Sequence, residues 1–171
     1  MKDKLNKILG RSKNNNLMSI ISPRKNLSLE FLKQGLKGGK NCVFVSNNTD
    51  LKSVENEVKK ILTNDDMDSR IRFIDFSSKK PSFNVYRSNL SNLSHLNVVL
   101  AQSLADLMSP ESRICIFDCL SDIKRNNKPE DVSKFIKILT DIVEKYDTTA
   151  LLFSDEESKE LKNLTDRVLI E

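Results

Sequence analysis

LMSIISPRKNLSLEFLKQGLKGGKNCVFV, residues Leu17 to Val45, is the stretch on which the fold turns. An apolar run from Leu17 to Ile21 has the length of a buried strand. A helical pattern follows from about Asn26 to Lys37, with Leu27, Phe31, Leu32 and Leu36 on one face. Gly38-Gly39 stops that helix, because a residue free to take left-handed backbone angles closes a last turn. Cys42 to Val45 is a second apolar run. The unit is strand–loop–helix–strand, and a glycine-rich phosphate cradle would fall at its first loop. Here that loop is Ser22-Pro23-Arg24-Lys25-Asn26, without a glycine and without Gly-Lys-Ser/Thr.

The same alternation continues to the end of the chain. Asn47 to Asp50 is a turn that supplies a cap, and Leu51, Val54, Val58, Ile61 and Leu62 mark a second helix face. Asn64 to Ser69 is a polar connection, Ile71 to Phe76 a strand, and Ser77 to Asn92 a long irregular stretch with Pro81, Phe83 and Tyr86. A helix spans about Leu93 to Met108, closed by Pro110. Arg113 to Phe117 is a strand whose run from Ile114 to Phe117 is apolar, as a strand buried on both faces requires, and it ends in Asp118. Pro129 at a helix start, with Glu130 and Asp131 in the first turn, opens a helix whose core face is Val132, Phe135, Ile136, Leu139, Ile142 and Val143. Thr148 to Phe153 is a strand, Ser154 with Glu157 has the spacing of a capping box for a last helix, and Arg167 to Ile170 is a final strand. The short amphipathic run Lys4 to Leu9 precedes them all. Strands alternating with helices predict an α/β fold in one domain, residues 1–171: three layers, a mostly parallel sheet with helices on both faces.

At 171 residues, with 38% hydrophobic and 30% charged residues, the chain reads as a soluble globular domain. No run is long enough to span a bilayer, and no apolar leader is visible, so a cytoplasmic protein is expected. Three cysteines, Cys42, Cys115 and Cys119, read as small buried hydrophobes in a reducing compartment. Cys115 and Cys119 lack the second pair that a structural zinc site needs, and no metal is expected. His95, the one histidine, sits in a leucine-rich helix and reads as a satisfied or exposed residue. The net charge of +4 is local: residues 1–25 carry seven basic side chains against Asp3 alone. A basic end of this kind suits nucleic acid or acidic lipid, but no aromatic residue interleaves it as a stacking platform would require, and a solvated surface is the plainer account.

Taken in order, these segments resemble the KaiC-like domains of the RecA superfamily of P-loop ATPases. Leu5 to Gly10 is similar to the family's leading helix. Leu17 to Ser22 is similar to its first strand, and Leu27-Ser28-Leu29-Glu30-Phe31-Leu32-Lys33-Gln34-Gly35-Leu36 to its LALQFLxxGL helix. Gly39 to Ser46 resembles its second strand, Arg113 to Ile123 its Walker B strand and continuation, and Thr148 to Ser154 and Asp166 to Glu171 its two last strands. The resemblance covers nearly the whole chain and implies a RecA-like sheet.

It also implies what this chain lacks. A Walker A loop wraps phosphates with glycine backbone amides, places a lysine on the β/γ-phosphates, and sets a Ser/Thr hydroxyl on magnesium. Arg24-Lys25-Asn26 stand where the family has Lys-Thr-Thr, in a shortened loop. Asn48 and Thr49 stand where its water-activating glutamate follows the second strand, and an amide cannot act as a general base. Asp118 matches the Walker B carboxylate; its alternative role is to cap the turn after a buried strand.

The expectation is therefore a pseudo-ATPase, not an enzyme, with no cofactor and no catalytic residue. Ser22, Arg24, Lys25, Asn26 and Asp118 are its candidate vestigial nucleotide or anion site. Its expected role is regulatory or scaffolding, through a protein partner that is an active ATPase paralogue or another copy of itself; Leu5, Ile8 and Leu9 form a small apolar stripe that either joins that partner or packs on its own domain. Two other functions compete: a nucleotide- or anion-sensing domain that binds without hydrolysis, and a DNA-associated, recombinase-like accessory factor. A flavodoxin-like receiver with Asp118 as phosphoacceptor is the competing fold, and the missing acidic pair after the first strand argues against it.

Overall fold

The computed structural model describes residues 17–22, 26–47, 51–76, 85–107, 112–156 and 167–170. The strands are β1 (Leu17–Ile21), β2 (Asn41–Ser46), β3 (Ile71–Asp75), β4 (Val85–Arg87), β5 (Arg113–Phe117), β6 (Thr148–Ser154) and β7 (Arg167–Ile170). The helices are α1 (Leu27–Lys37), α2 (Leu51–Lys59), α3 (Asn64–Arg70), α4 (Leu93–Ala105), α5 (Leu120–Asn126) and α6 (Pro129–Lys145). The strands form one sheet in the order β4-β3-β2-β5-β6-β1-β7, and every neighbouring pair is parallel. Parallel strands need a crossover between them, so all the C-terminal strand ends share one edge.

Side-chain alternation assigns the helices to their layers. Met18, Ile20, Phe44, Ile114, Ile116 and Phe153 face one way and pack with Leu32 and Leu36 of α1, Val54 and Val58 of α2, and Met67 of α3. Leu17, Val43, Val45, Cys115, Phe117 and Leu152 face the other way, against Leu96 and Leu100 of α4, Ile123 of α5, and Phe135 and Leu139 of α6. Edge-to-face ring pairs lock both interfaces, Phe31 with Phe153 at 5.4 Å and Phe117 with Phe135 at 6.0 Å between centroids. β5, β6 and β1 lie inside the sheet, as their two-sided apolar runs require.

Three arginines fasten the N-terminal edge. Arg70 donates to the carbonyls of Leu36 and Lys40, Arg72 to those of Asp68, Ile71 and Asp106, and Arg113 to those of Leu107 and Tyr146. Most of these carbonyls lie at or near helix ends and turns, where the intrahelical ladder runs out. α1 stops where the sequence placed its end, with Gly38 as the cap and Gly39 beyond it in the left-handed region, φ +79°.

Several details differ from the sequence reading. Asn64 to Ser69 is not a plain connection but most of α3, whose first turn is capped by Thr63 Oγ1 accepting from the Asp66 amide at 3.2 Å. The irregular stretch contains β4, and α5 stands between Asp118 and α6. The Ser154 hydroxyl accepts from Glu156 N–H, and Glu157, the other half of the expected box, lies outside the described residues. Cys42, Cys115 and Cys119 are buried and unpaired, and burial pushes all three thiols up in pKa. His95 is exposed, its Nδ1 3.2 Å from Ser88 Oγ. The leading helix, Pro81 and Phe83, and the last helix lie outside the described residues.

Candidate functional site at the C-terminal edge of the sheet

Each long apolar strand gives way to a polar residue at the same edge: Ile21 to Ser22, Val45 to Ser46, Phe117 to Asp118, Phe153 to Ser154. In open parallel sheets this is the edge where ligands bind. Asp118 is held in the ladder by its own backbone, since its N–H donates to the Val45 carbonyl at 2.8 Å. Its carboxylate leaves the sheet half-buried. Ser28 Oγ donates to Oδ1 at 2.8 Å, and Ser46 Oγ donates to Oδ2 at 3.3 Å. Ser28 is on the first turn of α1 and 3% exposed; Ser46 ends β2 and is 1% exposed.

A second group of polar side chains lies beside the first. Asn47 donates from Nδ2 to Asp122 Oδ2 at 3.2 Å, joining the end of β2 to α5. Arg125 on α5 reaches Asp122 at 3.3 Å and Asp155, just beyond β6, at 2.8 Å. Ser121 donates to Asp155 Oδ1 and accepts from the Asp155 amide. The hydrogen bond from Ser121, reinforced by Arg125, holds the Asp155 carboxyl below its usual range.

The candidate residues from the sequence are only partly united. Ser22 and Asp118 are at the same edge, but β6 runs between their strands, and Ser22 N–H donates to the Ser154 carbonyl at 3.0 Å. Asn26 is exposed at the cap of α1 and its side chain makes no cap bond. Arg24 and Lys25 lie outside the described residues. Ser28 was missed. It stands three residues past Lys25, the position that the resemblance aligns with the magnesium-binding hydroxyl, and meets Asp118 from the first turn of α1. The pattern that reveals the missed strand-end residues is the repeated polar residue after each buried strand. Nothing in the local sequence marks Asp122, Arg125 and Asp155 as one group, because the α5–β6 approach is tertiary.

Among the described residues no three of His, Cys, Asp and Glu group as a cation site. No helix there is long and apolar enough to cross a membrane. No curated protein matches the chain. The family model described as "ATPase: KaiC" matches residues 25–169, nearly its whole length beyond the first strand and loop. With the parallel sheet, the two helical layers and Asp118 at the end of β5, this match makes the chain a member of the KaiC ATPase family, within the RecA superfamily of P-loop ATPases.

Proposed function

We propose that this domain is a pseudo-ATPase that acts as a regulatory or scaffolding subunit through a protein partner. The observation that carries the reading is the state of Asp118. Both of its carboxylate oxygens accept from the chain's own hydroxyls, Ser28 and Ser46, where an active site of this superfamily turns that carboxylate to magnesium. The loop from Ser22 to Asn26 has no glycine to wrap a phosphate, and no carboxylate stands at Asn48 or Thr49 to activate water. Removing one preorganised electrostatic catalyst costs about 3 kcal/mol or more of transition-state stabilisation, and here the cradle, the lysine and the base are missing together. The family match begins at Lys25, inside that loop. The framework is kept, with both helical layers fully packed on the sheet, so the surface remains for a partner to use.

Purified protein is expected to show no magnesium-dependent ATP turnover above a blank. Turnover that the Asp118→Ala variant abolishes would overturn the reading. Sedimentation and co-purification test the second half: a monomer at every concentration, bringing down no partner, would defeat the scaffolding role. Thermal melts with magnesium and ATP, and DNA binding across a salt series, identify the sensing and DNA-associated alternatives, since only phosphate contacts give a steep salt slope.

A further inference from the structure

We infer that the described strand ends at the C-terminal edge of the sheet are tied together from within, with Asp118 acting as a structural tie in the place of a ligand-binding group. The inference rests on the pseudo-ATPase reading and adds what the site now does. Asp118 is the junction of three elements. Its backbone joins β5 to β2, Ser28 brings α1 onto it, and Ser46 brings the end of β2 onto it. A carboxylate accepting from two hydroxyls that are themselves nearly excluded from water forms charge-assisted bonds, the stronger kind. Without that acceptor the Ser28 hydroxyl stays buried and loses its bond to the carboxylate, so the pair is costly to break from one side.

The remaining links extend the same set of ties. Asn47, next to Ser46, is tied to α5 through Asp122, and α5 is tied to the segment after β6 through Ser121 and Arg125 on Asp155. α5 is itself anchored, since Leu120 and Ile123 are fully buried. The ends of β2, β5 and β6, with α1 and α5, are thus joined by side chains of the chain itself. In a ligand-dependent site the bound group supplies such ties, and the free carboxylate is a strained or neutral residue whose removal leaves stability unchanged or improves it.

That difference is the test. Melting temperatures of the full chain are measured for the wild type and for Asp118→Ala, Asp118→Asn, Ser28→Ala and the Ser28→Ala/Asp118→Ala double variant. Asp118→Ala is expected to melt several degrees lower. Asp118→Asn, which keeps a carbonyl oxygen for Ser28 and an amide for Ser46 Oγ, is expected to recover most of that loss. The double variant is expected to melt no lower than Asp118→Ala, because the bond from Ser28 is already lost in Asp118→Ala. Hydrogen exchange on Ser28→Ala gives an independent reading if Asp118→Ala does not fold: amides at Ser46 to Asn47 and at Asp118 should exchange faster than in the wild type. An Asp118→Ala protein as stable as the wild type, strictly additive losses, or unchanged exchange in Ser28→Ala would each overturn the inference. None of these outcomes bears on ATP turnover, which tests the parent reading separately.

Discussion

Gly35 shows how closely α1 is seated on the sheet. It is buried in the third turn of α1, and a Cβ built on it would fall 2.4 Å from Ile114 Cδ1 and 3.5 Å from Cys42 Sγ. Two effects oppose each other there. Replacing a mid-helix glycine by alanine gains about 1 kcal/mol in helix propensity, while overfilling a packed core costs about 1–3 kcal/mol. The atom in the way is the tip of a side chain, so Ile114 can yield to one methyl. Gly35→Ala is therefore expected within about 1 kcal/mol of wild type, and Gly35→Val, with two further methyls and poorer helix propensity, to lose about 2 kcal/mol or more. Chemical denaturation midpoints decide it, and a Gly35→Val protein of unchanged stability would mean that α1 does not sit this close to β5. Glu57 offers a pH signature at the same scale. Hydrogen bonds from Lys33 on α1 and Lys60 beyond α2 hold its carboxyl down to about 2, from an ordinary 4.5. The folded pKa lies below the unfolded one, so this contribution is present above about pH 4.5 and is lost as the pH falls toward 2. The group faces solvent and the effect is small. Glu57→Gln should flatten the wild type's loss of stability across that window, and parallel pH–stability curves for the two proteins would refute the assignment.

Among the elements, α3 and α5 show where periodicity stops being readable. α3 has seven residues and one buried side chain, Met67, so no apolar stripe exists to be seen among Asp65, Asp66 and Asp68. Its one local signal is Thr63, whose hydroxyl accepts from the Asp66 amide and donates to the Asp66 carboxylate at 2.8 Å. α5 buries only Leu120 and Ile123, a single i,i+3 pair. β4 has three residues and owes its strand form to pairing with β3, which no local pattern encodes. By contrast α1, α4 and α6 carry several apolar turns each and were legible within a few residues of their observed ends. If the Thr63 cap is what starts α3, Thr63→Ala should cost about 1 kcal/mol, and Thr63→Ser should restore most of it. Equal stability of all three proteins would show that tertiary contact with Met67 alone holds the helix. The candidate site divides in the same way. Asp118 was legible because it follows the apolar run Ile114 to Phe117 in a recognisable motif. Ser28 was not, because nothing in Leu27-Ser28-Leu29 says that one turn of helix faces the end of β5.

For the molecule as a whole, the central strands belong to two cores at once. Along β5, Ile114 and Ile116 pack toward α1–α3, while Cys115 and Phe117 pack toward α4–α6. This double burial is why the sheet was legible from the sequence: a run such as Ile114 to Phe117, with apolar side chains on both faces, must have a layer on each. The same property makes a claim about unfolding. Neither helical layer keeps its partner surface if the sheet is lost, so the layers cannot melt apart as independent units would. Ile116→Ala removes packing from one layer and Phe117→Ala from the other, and each is expected to cost about 2–5 kcal/mol as a large-to-small change at a fully buried site. Both should shift one shared transition. Far-ultraviolet circular dichroism reports the helices of both layers. Phe135, edge-on to Phe117, can be replaced by tryptophan as a fluorescent probe of the α6 side alone. In each alanine variant, made in that background, the two signals should give coincident midpoints, as a single cooperative domain demands. A variant in which the Phe135→Trp fluorescence melts before the circular dichroism signal would show that the α4–α6 layer detaches while the rest stands. The residues on either side of β5 would then belong to separable units rather than to one domain.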